Sequence, residues 1–490
     1  MRMASLRNYT LPGLLALFCL ALLASCGKNG SGTGKLIFSR DTIMFDTSFA
    51  QIGSMSKVFI VRNPGNRDLT LKSVYLEKGT ASRFRINVDG TPGPKVDAVE
   101  ILAGDSIYVF VESTVDPVGS SGSLFEDDRI VFEYNNGPDH VYLAAPGQDA
   151  IYYYPNDTLL DNYGRKYPVR ILQGNHIWTQ GRPIVIVGTL VVDAGATLTM
   201  QPGTHVHMFN GAMIWVYKGG VLKILGESNR RVVIEGTRLG AQYANLAGQW
   251  DRIWINEGST EHVIRHAIIK NGRMGIQAGG LDLSDGSSPR NLLIEQTSIF
   301  NMTVTGILSL NYNITANSIF VNQFSQYGMA LLLGGNYNLR HVTVSGYQSG
   351  TRPQPGLFFA NYYQAQDGLY VNAMNFKAEN SIFYGTNPTE VAFDSDNGAA
   401  MNFLFRNCLL KVDEQTSTDG PEFVSIIRNK DPKFYAPYYY DPSILGDSPV
   451  RDSADVTVTG SSPSLLFDYH GINRLMNGRS DMGCAEYKGD

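Results

Sequence analysis

Three groups of residues in this 490-residue chain are of types that carry out chemistry. Acids gather in GGLDLSDGSSPR, where Asp282 and Asp285 precede Arg290, and recur as Asp367 in QAQDG and as Asp394-x-Asp396 in FDSDNG. Carboxylates beside an arginine are what a polysaccharide lyase or glycoside hydrolase would use for proton transfer, and a lyase would add calcium. The spacing assembles no recognisable catalytic set, and Asp394-x-Asp396 departs from the longer calcium-loop pattern, so these read as solvated loop acids. His205 and His207 alternate and therefore share one strand face. Two ligands are not a site, and no cysteine or third histidine lies nearby in sequence, so no metal is expected. Phe358, Phe359, Tyr362 and Tyr363 form an aromatic group, and Tyr435, Tyr438, Tyr439 and Tyr440 a second one. Flat rings in loops stack on sugars, and the same rings also anchor long loops to a core.

The elements that must position these residues are strands. The chain has 51 Gly, 26 Tyr and 23 Phe with only 17% charged residues, a poor mixture for long solvated helices. Its net charge is -5, and no basic cluster interleaved with aromatics is present, which excludes nucleic acid as a partner. In GTLVVDAGATLTMQPGTHVHM, residues 188–208, three apolar runs are separated by turns with no room for a helix. Such strands either pair as hairpins or coil in parallel, and repetition favours the coil. A unit recurs at Ile264–Ile269, Ile294–Ile299, Ile314–Ile319, Leu339–Val344 and Leu404–Leu409, with a looser copy over Phe376–Ile382. Asn271, Asn301 and Asn322 follow the repeated strand, where asparagine tolerates a left-handed turn and can stack on its counterpart one coil on.

This pattern resembles right-handed parallel β-helix proteins, and GTLVVDAGATLTMQPGT with GQWDRIWINEGST looks like the opening coils of a lipoprotein group among them. The expected fold is all-β: an N-terminal immunoglobulin-like sandwich, a right-handed parallel β-helix of about ten coils, and a C-terminal cap. Residues 35–150 hold the strand-like runs Lys57–Val61, Leu69–Leu76, Ser106–Glu112 and His140–Ala144, punctuated by turn residues. Their order resembles the immunoglobulin-like module of Hydin-type bacterial proteins, which implies a spacer or interaction domain. Residues 151–182 are expected to be linker and N-terminal cap, 183–412 the β-helix, and 413–490 a closing segment. The ending DMGCAEY, 481–487, resembles the terminal segment of secreted β-helix proteins, which implies ion-pair and capping roles for Asp468, Arg474, Asp481 and Glu486.

The first 25 residues read as a secretion signal, with Arg2 and Arg7 ahead of the apolar run 11–24. Leu23-Ala24-Ser25-Cys26 resembles a bacterial lipobox, which implies acylation of Cys26, a flexible tether over 26–34, and anchoring at the outer membrane. Gly27 stands where aspartate would imply inner-membrane retention. Periplasmic and extracellular faces both stay open. Cys408 and Cys484 are the remaining cysteines, read as buried thiols with a disulfide as the alternative. Three functions are compatible with this reading: a non-catalytic scaffold that binds glycan or protein, a polysaccharide lyase or hydrolase working in a lateral groove, and a purely structural envelope protein. Any ligand is expected on the loops inserted after residues 271 and 346, where Asp282, Asp285 and Asp367 share the surface with the aromatics Phe358–Tyr363.

Overall fold

In the computed structural model of the chain, residues 35–489 are described apart from 47, 50–55, 114–123, 136, 161–163, 165 and 348–351. Cys26 and its tether lie outside these residues. The described residues are nearly all strand and turn, with one short α-helix, Val456–Thr459. None of their helices is long and apolar enough to cross a membrane. The chain divides between Asp149 and Ala150 into two units.

The first unit is two sheets that share one apolar core. Strand Lys57–Arg62 pairs antiparallel with Ser106–Ser113 in one sheet. Strand Leu124–Glu133 lies between Asp139–Gln148 and Leu69–Leu76 in the other. Alternation explains the burial. Phe59, Val61, Leu69, Leu71, Val109 and Val111 point inward and are all but inaccessible, whereas Val58, Ile60, Tyr108 and Phe110 on the opposite pleat are exposed.

The second unit is built from parallel sheets of many strands, as a solenoid requires. An 11-stranded sheet supplies one wall, and an 18-stranded sheet supplies two further parallel ladders. Inward side chains stack in columns through the centre. One column runs Ile264, Ile294, Ala316, Leu339, Ala378 and Phe405, each paired with the next. This register corrects the sequence repeat at three copies. The units read as starting at Ile314, Phe376 and Leu404 start in register at Ala316, Ala378 and Phe405. Alanine hides the repeat where bulky neighbours already fill the core, as Phe376 does beside Ala378.

From the coil of Ile264 onward, one corner turns on a single left-handed residue, two positions after that column or its continuation at Phe423: His266, Gln296, Ser318, His341, Asn380, Asn407 and Ser425 have φ between 47° and 56°. At another corner Asn271 and Asn301 are also left-handed, and the Asn301 amide donates to Asn271 Oδ1 at 2.6 Å. Asn322 departs from that expectation, since it lies within strand Phe320–Phe324 and the left-handed residue is Gln323.

Residues 151–182 belong to the solenoid sheets: Ile151–Tyr153 pairs parallel with Ile184–Ile186, and Lys166–Leu172 with Thr189–Val192. Their polar and aromatic outer residues mask the alternation that marks a strand. The C-terminal segment runs back along the left-handed corner and spans several coils. The Asn380 amide donates to the Asp455 carbonyl, Thr459 Oγ1 lies 2.9 Å from His341 Nε2, and Gln296 donates to the Phe467 carbonyl. Arg231 donates to the Tyr469 carbonyl, and the Tyr469 hydroxyl to Ser298 Oγ. Within this strap Arg474 pairs with Glu486 at 2.6 Å, and Asp468 Oδ2 accepts the Glu486 N–H. Cys408 and Cys484 are buried and unpaired.

Candidate functional site

On the outer surface of the solenoid, a fixed position three residues before the inward column is asparagine in five successive coils: Asn291, Asn313, Asn336, Asn375 and Asn402. Parallel pairing in register places them directly above one another. Each carboxamide donates to its predecessor: Asn313 to Asn291 at 2.9 Å, Asn336 to Asn313 at 2.7 Å, Asn375 to Asn336 at 2.9 Å and Asn402 to Asn375 at 3.0 Å. A carboxamide has two donor hydrogens and two acceptor lone pairs. The ladder uses one of each, so every interior rung keeps a second N–H and a second lone pair. Four of the five amides are exposed and Asn313 is half-buried. All amides point the same way, so their dipoles add and polarise one another.

Beside the ladder runs a second outward row, Leu293, Thr315, Asn338, Lys377 and Leu404, set by the same register. The two rows line a shallow groove of about 480 Å³ over the last four rungs. A third row alternates in charge: Arg265 pairs with Glu295 at 2.8 Å, Asn317 donates to Glu295, Arg340 donates to Asn317, and Arg406 lies 3.6 Å from Glu379. The result is a flat face of amides with a charged border, repeating at the interstrand spacing of about 4.8 Å. Such a face can form one set of hydrogen bonds per coil with an extended ligand that carries hydroxyls at regular intervals.

The residues singled out from the sequence lie elsewhere. Asp285 is near Lys218 at 2.9 Å and Arg290 at 3.7 Å, the acid-and-base proximity that an enzyme would need. Those contacts hold the loop. Asp285 accepts the Ser287 and Ser288 N–H groups at 2.9 and 3.0 Å, and the Arg290 guanidinium donates to the Ser288 and Asn311 carbonyls. The Ser288 hydroxyl first, and Lys218 next, hold the Asp285 carboxyl far below the usual carboxylate range. A carboxylate so stabilised as the anion is a poor general base. Asp282 likewise accepts from Ser284 within its own loop. Asp367 accepts from the Tyr370 hydroxyl at 2.9 Å, and with Asp282 it raises the pKa of that tyrosine, so the two insertions approach one another. Asp394 accepts from the Tyr362 hydroxyl at 2.7 Å, and Asp396 from the Gly398 N–H.

Among the aromatics, Phe359 is wholly buried and stacks on Phe376 at 4.4 Å, so it is a core residue and not a ligand contact: its strand turns it inward. Phe358, on the opposite pleat, is half-buried with its ring 5.8 Å from Tyr327. Tyr362 and Tyr363 belong to the first strand of a two-stranded hairpin and are half-buried. Tyr435 and Tyr439 are exposed, whereas Tyr440 packs on Phe300 at 4.2 Å. The asparagine ladder went unread because the repeat was sought in apolar positions; asparagine at a constant offset before them was the available signal.

Among the described residues His207, His262 and His341 are buried. His262 Nδ1 accepts the Leu222 N–H at 3.2 Å, and burial pushes its pKa down to about 4. His341, buried under the strap, is held well below the usual histidine range, also by burial. The unfolded chain protonates both near the ordinary value of about 6.5, so below that pH it binds more protons than the native state. The contribution of these two histidines to stability is therefore expected to be full above pH ~6.5 and to fall as pH drops towards 4, by at most ~1.4 kcal/mol per unit for each group. Urea midpoints at pH 7.5, 6 and 5 check this. His262→Gln, which keeps an acceptor for Leu222 and removes the titration, should flatten the slope.

In comparisons with known proteins, no family model matches the chain and no curated protein matches it.

Proposed function

We propose that the chain is a non-catalytic cell-envelope lipoprotein, in which a right-handed parallel β-helix binds an extended glycan along the asparagine ladder. The observation that carries this reading is the ladder itself: five aligned amides, hydrogen-bonded in one direction, four of them exposed, beside a groove. Amide side chains satisfy sugar hydroxyls as both donors and acceptors. A repeat of about 4.8 Å is comparable to the length of one sugar residue in an extended chain, so successive sugars meet successive rungs. The ligand then lies on the strand face and not on the insertion loops. This leaves the loop acids in the hydrogen bonds they already make, which argues against a lyase or hydrolase. The lipobox-like Cys26 supports anchoring at the outer membrane. The two-sheet first unit, in which Thr42–Met44 runs parallel to Asp139–Gln148 while Ile37–Phe38 runs antiparallel to Lys57–Arg62 in the other sheet, supports an immunoglobulin-like spacer.

The test starts from Cys26→Ala, which should move the full chain from the membrane fraction to the soluble one. That soluble chain is then applied to an array of bacterial and plant polysaccharides. Binding to an extended polysaccharide is expected, and Asn336→Leu with Asn375→Leu should weaken it at least tenfold with little change in thermal midpoint. Equal binding by the double variant, or no binding by the parent, overturns the proposal.

A further inference from the structure

The 11-stranded wall carries a second cluster of ligating side chains, away from the ladder. On strand His205–Met208, Val206 and Met208 point into the core, which leaves His205 and His207 on the outer face. The parallel register sets His207 beside Glu235 on the next coil. One ligand atom from each of His205, His207 and Glu235 lies within 4.8 Å of the other two. No Cys or His near this pair in sequence completes the group. The third ligand is a carboxylate, and one coil of the fold brings it in.

We propose that His205, His207 and Glu235 bind one divalent transition-metal ion of the zinc class, with water completing the coordination. Two imidazoles and one carboxylate form a borderline-soft donor set that suits such an ion, and three protein ligands leave a position open. His207 is 3% exposed, so the packing around it holds its imidazole in place. Its Nδ1 lies 3.3 Å from the Gly236 carbonyl. A proton shared there leaves Nε2 in its basic form, and backbone anchoring of this kind orients metal-ligating histidines. His207 is buried and His205 exposed, so rotamer change on binding falls to His205. Bonds of about 2.1 Å place ligand atoms roughly 3.4 Å apart around a tetrahedral ion, so closure needs side-chain movement on the order of 1 Å.

One cation already competes. Lys270 Nζ lies 2.8 Å from Glu235 Oε2 with both side chains partly exposed, so the incoming ion displaces the ammonium from the carboxylate. This gives the proposal a signature that a stray surface histidine lacks. The full chain carrying Cys26→Ala, stripped with chelator, is titrated with zinc chloride at pH 7.5 by calorimetry. One ion per chain at micromolar Kd or tighter is expected. His205→Ala and Glu235→Gln should each weaken binding at least tenfold, and Lys270→Met should tighten it several-fold. Circular dichroism checks that the variants fold, and His205, being exposed, is the substitution least able to disturb the fold. Absence of stoichiometric binding in the parent, unchanged binding in His205→Ala and Glu235→Gln, or weaker binding in Lys270→Met each overturns the proposal.

Discussion

Arg352→Met should cost the protein about 3–5 kcal/mol, the loss expected when one partner of a buried ion pair is removed. The Arg352 side chain is wholly buried, and that of Glu390 is 1% exposed. The guanidinium donates to both Glu390 oxygens at 2.6 Å, packs over the Phe324 ring at 4.7 Å, and donates to the Gln354 carbonyl. Glu390 in turn accepts the Gly356 N–H at 2.8 Å and the Asn387 N–H at 3.0 Å, so the pair ties an inserted loop to the coil below. Burial raises the Glu390 carboxyl above its usual range even with the arginine present. Without the arginine the carboxylate is left uncompensated. Glycine surrounds it: a Cβ on Gly385 would sit 2.2 Å from Glu390 Oε1, so no side chain there can take the place of the guanidinium. Denaturant unfolding measures the loss, and Arg352→Met with Glu390→Leu should recover most of it. A single variant within 1 kcal/mol of the parent refutes the account.

Arg474→Met is the second large effect, and its size should depend on pH. The Arg474 guanidinium, fully buried, meets Glu486 at 2.6 Å and Ser318 Oγ at 3.3 Å. Burial pushes Glu486 up to about 7, against the pull of Arg474. Removing the arginine raises it further. A carboxyl whose native pKa exceeds its unfolded value contributes stability below the unfolded value, near 4.5, and loses it as pH rises through the native one. The deficit of the variant relative to the parent should therefore be small near pH 5 and grow towards pH 8, by at most ~1.4 kcal/mol per unit. A deficit constant across that range would show that lost packing, not the stranded acid, sets the cost.

Much of the all-β architecture was legible because strands facing a shared core alternate, and because inward isoleucine and leucine recur once per coil. Legibility failed where an inward residue is small. Ala316 and Ala378 occupy column positions that no apolar search favours, and only pairing with Ile294 and Leu339 reveals them. The His205–His207–Glu235 cluster and the Arg352–Glu390 pair share one obstacle. Each is made by residues one or more coils apart, at sequence distances that vary with loop length, so spacing along the chain carries no trace of contact between coils. The loop acids illustrate the converse: Asp282 and Asp285 lie three residues apart, and that closeness in sequence is spent on closing their own turn, in keeping with their reading as loop acids.

The strap along the left-handed corner bears on when the fold can be completed. A chain leaving the ribosome or a secretion pore supplies coils from the N-terminal side, and each new coil can dock on the one before it. Arg231 and Tyr469, however, are 238 residues apart, and Gln296 and Phe467 are 171 apart. These contacts at the early corners therefore form only after the last residues arrive. Closing so long a loop is a slow, late event, since its entropy is paid before its contacts form. Once fastened, the strap links coils that do not touch one another. Fraying from the C-terminal end, the usual weak point of a stack of repeats, would then have to release several corners together.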